Sequence, residues 1–332
     1  SSVASLPSLA QLQRYIRLTS PVGFWQDLAM PRPRSGRQYT LRRGDLVAEV
    51  ASIGASLRSL QVGNRDLVLS FNAEEIRPLF RGCVLAPWPN RIAGGRWTYG
   101  GQEHQLAITE PARGHALHGL VAWLDWNEID SSADTVSLGT TIVPQQGYPY
   151  QFDLTMRWSL EEAALVGRLS AVNAGSEAAP FGCSIHPYLV APGSDMNEWM
   201  LHVPATHELQ VDDDLIPTML TAVPEAHDFH EPRPIGSAAI DHALHGFDFT
   251  GGTSSVSLVD QQGDGVRVVF SAETPWVQVC TSDWPGRVGH RAGVAVEPMT
   301  CPPNAFATAP EMYLVAPGET STASWRLEAV GG

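Results

Sequence analysis

The amino-acid sequence predicts an all-β fold. One large, mostly antiparallel β-sandwich is expected over residues 38–330, with an N-terminal arm of residues 1–37 carrying one short helix. Two observations support this. From Gln38 onward, apolar residues recur with period two in short runs bounded by Gly, Pro, Asn or Asp, the pattern of half-buried strands joined by turns. These runs do not alternate with long amphipathic helices, which disfavours a doubly wound parallel sheet. No internal repeat of about 20–50 residues points to a propeller or solenoid.

The elements follow in chain order. In the arm, Leu6, Leu9, Leu12, Tyr15, Ile16 and Leu18 form a helical stripe, with Ser8 placed to cap it and Pro21 to stop it. The chain is then irregular through Pro31, Pro33 and Ser35. Strands are expected at Asp45–Val50, Thr135–Ile142, Leu154–Leu160, Ala164–Val172, Val266–Phe270 and Ser324–Val330, each alternating apolar with polar side chains. Between the first two, Asn72–Phe80 is expected to make one or two helical turns.

Composition bounds the function. The chain has 332 residues, with 21 Lys+Arg against 35 Asp+Glu and a formal net charge of −14. That balance excludes an electrostatic nucleic-acid binder, which needs a basic face to displace counterions, and it disfavours an anionic lipid surface as partner. No run reaches the ~18–20 apolar residues of a membrane-spanning helix. Cys83, Cys183, Cys280 and Cys301 form no C-x-x-C pair, so they are expected to be buried free thiols rather than zinc ligands. With no basic-then-apolar leader after Ser1, a cytoplasmic protein is expected, as monomer or homodimer.

The chain lacks the G-x-S-x-G elbow, the phosphate-binding P-loop and H-E-x-x-H. Four segments place polar groups in apolar, turn-bounded sequence. In Ala86-Pro-Trp-Pro-Asn-Arg-Ile92, two prolines frame Trp88, Asn90 and Arg91 in a rigid loop suited to aiming side chains. In Leu117-His-Gly119, a small neighbour gives His118 room to approach a ligand. His186 ends an apolar run and Pro187 stops the pairing, which puts an imidazole at a strand end, where it can act as acid or base near neutrality. Glu297 lies in a buried strand, where a carboxylate is costly unless partnered or working. Taken singly, each has a structural alternative: a surface turn, a hydrogen-bonded core histidine or a sheet-end ion pair. Asp241-His242 with His245, and His227-Asp228 with His230, have spacings that metal sites use, but without Cys or helical periodicity no metal is expected.

In this order the segments resemble the aldose 1-epimerase (galactose mutarotase) family. The resemblance rests on Asn90-Arg-Ile92, Leu117-His-Gly119, His186-Pro-Tyr188, Asp241-His242, Val296-Glu-Pro298 and Pro317-Gly-Glu319, and it spans residues 38–328. It implies a β-supersandwich that interconverts the α and β anomers of a free monosaccharide without cofactor or metal. By the same resemblance, Glu297 is the base on the C1 hydroxyl, His186 protonates the ring oxygen and His118 contacts the ring. Arg91 and Asp241 hold hydroxyls, and Asn90, Trp88 and Tyr188 complete the binding set. This chemistry calls for an ionised Glu297 and a charged His186. Trp88, Trp123, Trp126, Trp284 and Tyr188 are candidate platforms for sugar C–H faces.

Two departures from the family pattern stand out: Tyr150 where Gly is common, and Pro298-Met-Thr-Cys-Pro-Pro-Asn304, where an Asp often occupies the position near Asn304. They mark a bacterial subgroup and detach the chain from a galactose preference. A phosphorylated sugar would need basic groups such as Arg81, Arg287 or Arg291 at the site, and the acidic balance favours a neutral sugar. A non-catalytic sugar-binding module is the remaining alternative, disfavoured because a binder needs neither Glu297 nor His186.

Overall fold

A computed structural model describes residues 32–331; the helix expected over Leu6–Leu18 lies outside them. Alternation of side chains builds the largest layer. In the strand Phe152–Leu160, Phe152, Leu154, Met156, Trp158 and Leu160 are buried, while Asp153 and Arg157 are exposed. Thr135–Ile142 and Ala164–Asn173 flank it antiparallel. Six further strands complete a nine-stranded sheet, among them Asn127–Ser131, Thr320–Val330, Gly265–Ser271 and Thr253–Val259. The expected strands all appear, most extended by a residue or more at their ends. The first begins at Leu46 rather than Asp45, because Gly44 (φ +56°) and Asp45 form the turn from Gln38–Arg43.

Residues 72–80 bear out one helical turn and not a second. They hold one 3₁₀ turn at Pro78–Phe80, inside which Leu79 and Phe80 take φ of +50° and +56°. Left-handed residues cannot continue a right-handed helix. Among the described residues no helix is long and apolar enough to cross a membrane, and all four cysteines are buried and unpaired.

A six-stranded sheet runs in the order Tyr188–Leu189, Val294–Met299, Trp276–Cys280, Asp241–His245, His207–Val211 and Pro217–Ala222. Its strand Val294–Met299 is buried throughout. Val294 and Val296 join the main core, whereas Ala295 packs with Tyr188 and Cys280 on the opposite face. A four-stranded sheet, Gln38–Arg43 to Arg65–Asp66, closes the assembly.

Two fully buried indoles tie the layers together through hydrogen bonds. Trp158 Nε1 donates to the Ala55 carbonyl at 2.9 Å, next to the four-stranded sheet. Trp325 Nε1 donates to the Pro298 carbonyl at 2.9 Å, one residue beyond Glu297. The second bond joins the large sheet to the strand that carries the buried carboxylate. Trp325→Ala removes that bond and opens a cavity, so it is expected to lower stability by about 3–5 kcal/mol in urea unfolding. A loss below about 1 kcal/mol would show that the indole is not a tie between the layers.

Candidate active site

Directly opposed residues on neighbouring strands share a face. Glu297 lies opposite Gln278, Ala295 opposite Cys280 and Tyr188, and Cys280 opposite Asp241. Glu297, Gln278, Asp241, Cys280 and Tyr188 therefore share one face, and the next residue, His242, points to the other.

His186 reaches that face through its backbone. Its N–H donates to the Cys83 carbonyl (3.1 Å), its carbonyl accepts from Gly82 (2.7 Å), and the Pro187 carbonyl accepts from Val296 (3.1 Å). Stitched on both sides, His186 holds Nε2 3.3 Å from Glu297 Oε1, with both side chains nearly excluded from solvent.

The third wall comes from two loops locked together. Asn90 and His118 both adopt left-handed backbone, φ +54° and +61°. The Asn90 N–H donates to His118 Nδ1 (3.2 Å), and the His118 N–H donates to the Asn90 carbonyl (2.8 Å). Because Nδ1 accepts a hydrogen bond, the neutral ring carries its proton on Nε2. Gly119 is required here: at φ +71° a Cβ would lie 2.1 Å from the Ala86 carbonyl oxygen.

Arg91 presents Nε and Nη2 to the Glu110 carboxylate at 2.7 and 3.0 Å. Its carbonyl accepts from the Asn304 N–H (2.7 Å), and Asn304 Oδ1 accepts from the Ala93 N–H (2.9 Å). Asn304 thus serves the Arg91 loop through an oxygen that an Asp would also offer. Tyr150, the other departure, is buried beside Trp97, Tyr99 and Tyr148 and does not line the site.

These walls enclose a cavity of about 330 Å³, lined by Asn90, Arg91, His118, His186, Tyr188, Asp241, Gln278, Trp284, Arg287 and Glu297, among others. Phe80 covers His118 with ring centroids 4.7 Å apart. Gln278 Nε2 donates to Asp241 Oδ1 at 2.8 Å. Glu297 Oε2, Gln278 Oε1 and His186 Nδ1 are buried without a hydrogen-bond partner among the described residues, so acceptors and a ring nitrogen remain for hydroxyl groups.

Burial sets the electrostatics. It pushes the Glu297 carboxyl well above its ordinary value; the nearby Asp241 charge adds to this and Arg91 opposes it. Burial also drives His186 down to about 3, aided by the Arg77 charge, against a backbone hydrogen bond. His118 falls well below its ordinary value from burial and the neighbouring His186, Arg91 and Arg77. Around Arg91, burial would lower the guanidinium and raise Glu110, but their mutual bonds win and shift both the opposite way. The expected ionised Glu297 and charged His186 are therefore corrected for the resting site, where dehydration favours the neutral acid and the neutral ring. The proton count is unchanged: the pair holds one proton either way.

Eight side chains were singled out as site residues, and seven of them line the cavity: Glu297, His186, His118, Arg91, Asp241, Asn90 and Tyr188. Trp88 does not. It is buried in the core, its apolar indole packed against Phe306 and Tyr148, while Asn90 and Arg91 face the cavity. Trp126 is likewise core, and Trp123 lies on the surface against Arg77, leaving Trp284 and Tyr188 as aromatic walls. Of the three arginines, Arg291 pairs with Asp283 and two carbonyls, Arg81 donates to Ser70, and Arg287 borders the cavity.

Sequence reasoning missed Gln278 and Glu110. Gln278 interrupts the apolar alternation of Trp276-Val-Gln-Val-Cys280 and could have been found by that signal, whereas Glu110 has no local signal. The spacing-based metal pairs do not converge: His245 Nδ1 lies 3.0 Å from the Pro275 carbonyl oxygen. Instead His227 and His242 meet at Glu208.

A family model described as aldose 1-epimerase matches residues 37–328. An Escherichia coli K12 protein, YihR, itself uncharacterized, is 35% identical over 287 residues, covering 86% of this chain and 91% of that protein. A galactose mutarotase of Mus musculus is 30% identical over 229 residues, covering 64% of this chain and 65% of that protein. Among solved structures, a putative aldose 1-epimerase from Escherichia coli K12 superposes with a TM-score of 0.75 at 22% identity, covering 88% of this chain and 98% of its own. Galactose 1-epimerase from Lactobacillus acidophilus NCFM gives 0.74 at 20% identity, covering 89% and 95%. At such identities the structures establish the fold alone.

A carboxyl whose pKa is raised by folding contributes full stability below its unfolded value, near 4.5, and loses it as pH rises through the folded value. Glu297→Gln removes that penalty. The variant is expected to be more stable than the parent at pH 8, by about 1 kcal/mol or more, with the gap narrowing toward pH 4. Urea unfolding at both pH values checks this, and a variant less stable at pH 8 than at pH 4, relative to the parent, contradicts it.

Proposed function

The chain belongs to the aldose 1-epimerase family, and from that premise we propose that it is a mutarotase acting on a free aldose through Glu297 and His186. The observation that carries the proposal is the buried 3.3 Å contact between those two side chains on the cavity wall. Opening a pyranose ring needs one proton removed from the C1 hydroxyl and one delivered to the ring oxygen. A pair that holds a single proton can do both without drawing on solvent.

Bound hydroxyls replace part of the hydration that Glu297 lacks, which favours moving its proton to His186. Glu297 then takes the proton from O1 while His186 protonates the ring oxygen, and the C1–O5 bond breaks to give the open aldehyde. Rotation about C1–C2 presents the other aldehyde face. The two transfers run in reverse, and the ring closes as the opposite anomer. Each positioned transfer contributes typically about 10²–10⁴-fold.

His118 Nε2–H is a neutral donor placed for the ring or O1. Arg91, held by Glu110, and Asp241, held by Gln278, are suited to hydroxyls, with Asn90 beside them. Trp284 and Tyr188 offer apolar faces to C–H groups.

Arg287 favours a second reading, a substrate with an anionic substituent. It borders the cavity, and no carboxylate pairs with it among the described residues. An anomer-exchange NMR screen over free, 6-phosphorylated, deoxy and sulfonated sugars separates the two readings.

Freshly dissolved α-glucose or α-galactose is expected to mutarotate faster with the protein, followed by polarimetry or anomeric proton NMR. Glu297→Gln is expected to lose at least about 10²-fold of that acceleration while staying folded; a fully active variant would remove Glu297 as the base. Because burial keeps His186 from gaining a proton until about 3, kcat/KM should show no acid limb between pH 5 and 7. An acid limb centred near 6.5, the ordinary imidazole value, would contradict that.

A further inference from the structure

We propose that Glu208, His227 and His242 form a zinc(II) site on the opposite face of the six-stranded sheet from the catalytic cavity. Their ligating atoms all lie within 4.8 Å of one another. Glu208 lies opposite Leu244, two residues from His242, which puts the carboxylate and that imidazole on one face. His227 comes from the 3₁₀ turn Glu225–His227, whose loop folds back so that its ring lies 5.0 Å from that of His242.

The surroundings of Glu208 argue for a cation. Its residue is fully buried, yet among the described residues its oxygens meet only Gln210 Nε2 (2.9 Å) and His227 Nδ1 (2.8 Å). No arginine pairs with it among the described residues, and a fully dehydrated carboxylate is costly without a positive partner. The Glu208–His227 contact alone leaves the second imidazole, His242, facing the pair without a role. One divalent ion uses all three groups. Two imidazoles and a carboxylate suit zinc, whereas calcium and magnesium take oxygen ligands.

Zinc ligands sit about 2.0–2.2 Å from the metal, so the side chains must draw together slightly and the Glu208–His227 hydrogen bond must give way. Ligation through Nε2 of His242 also costs its long 3.3 Å contact with the Asp241 N–H, because Nδ1 must then carry the proton. His227 lines a surface cleft with Asp228, His230 and Arg233, which gives the ion a route in. The bound ion would clip the 225–236 loop to the sheet. His242 adjoins Asp241 in sequence, so the clip would also brace a strand of the catalytic face.

The test uses the full chain, stripped with chelator and then titrated with zinc chloride by calorimetry. One ion per chain is expected, at micromolar affinity or tighter, with a rise of a few degrees in Tm. His227→Gln, at a surface turn, and His242→Gln should each weaken binding at least tenfold and cancel the Tm rise. Cobalt(II) visible absorption should be lost in parallel. Absence of binding, or unchanged affinity and stoichiometry in both variants, would overturn the site. If His242→Gln fails to fold, His227→Gln alone decides the outcome by the same readouts.

Discussion

A carboxylic acid and an imidazole held 3.3 Å apart in a dehydrated wall are the constraint on which the rest of this structure depends. Burying either group alone is unfavourable, and the sheet that carries Glu297 accepts that cost at a fully enclosed strand. On one side of the strand, Val294 and Val296 belong to the core; on the other, Ala295 packs with Tyr188 and Cys280. His186 is fixed by its backbone bonds to Cys83 and Gly82, so the ring position is set by main chain rather than by a flexible side chain. Dehydration then moves the two pKa values apart, Glu297 upward and His186 downward, and leaves one proton to be shared.

The loops opposite the pair carry conformational cost. Asn90 and His118 occupy left-handed backbone, at roughly 1 kcal/mol or more each. That cost is offset by the hydrogen bonds the two loops exchange, which also fix the His118 tautomer. The Arg91–Glu110 fork orients the guanidinium and holds it charged, while Asn304 braces the same loop from behind. Left-handed Asn90 and His118 and the buried side chains of Glu297, His186 and Gln278 gather at one place, beside strands that alternate apolar and polar residues in the ordinary way. That contrast marks the site physically.

The same contrast explains what the sequence could and could not reveal. Strands such as Thr135–Ile142 were legible because one face is buried and one is not, and period-two alternation records that directly. His118, His186 and Glu297 were legible because each interrupts an apolar segment. Trp88 misled because an aromatic residue between two prolines looks equally suited to a platform and to the core, and only its packing against Phe306 and Tyr148 separates these. Glu110 was invisible because its partner lies 19 residues away, across a loop whose path no local pattern encodes. The protonation of the pair was also hidden, since desolvation depends on how completely the surrounding layers close. Likewise, His227 and His242 were weighed in separate local motifs, and only the fold brings them together at Glu208.

Dehydration favours a neutral His186 ring beside Glu297 at rest. Histidine ¹⁵N chemical shifts, with His186 assigned by comparison with His186→Asn, test it most directly across pH 5–8. His186 is expected to show neutral-imidazole shifts throughout, with no titration in that window. A His186 signal that titrates near the ordinary imidazole pKa of about 6.5, or one that is imidazolium at neutrality, would contradict it.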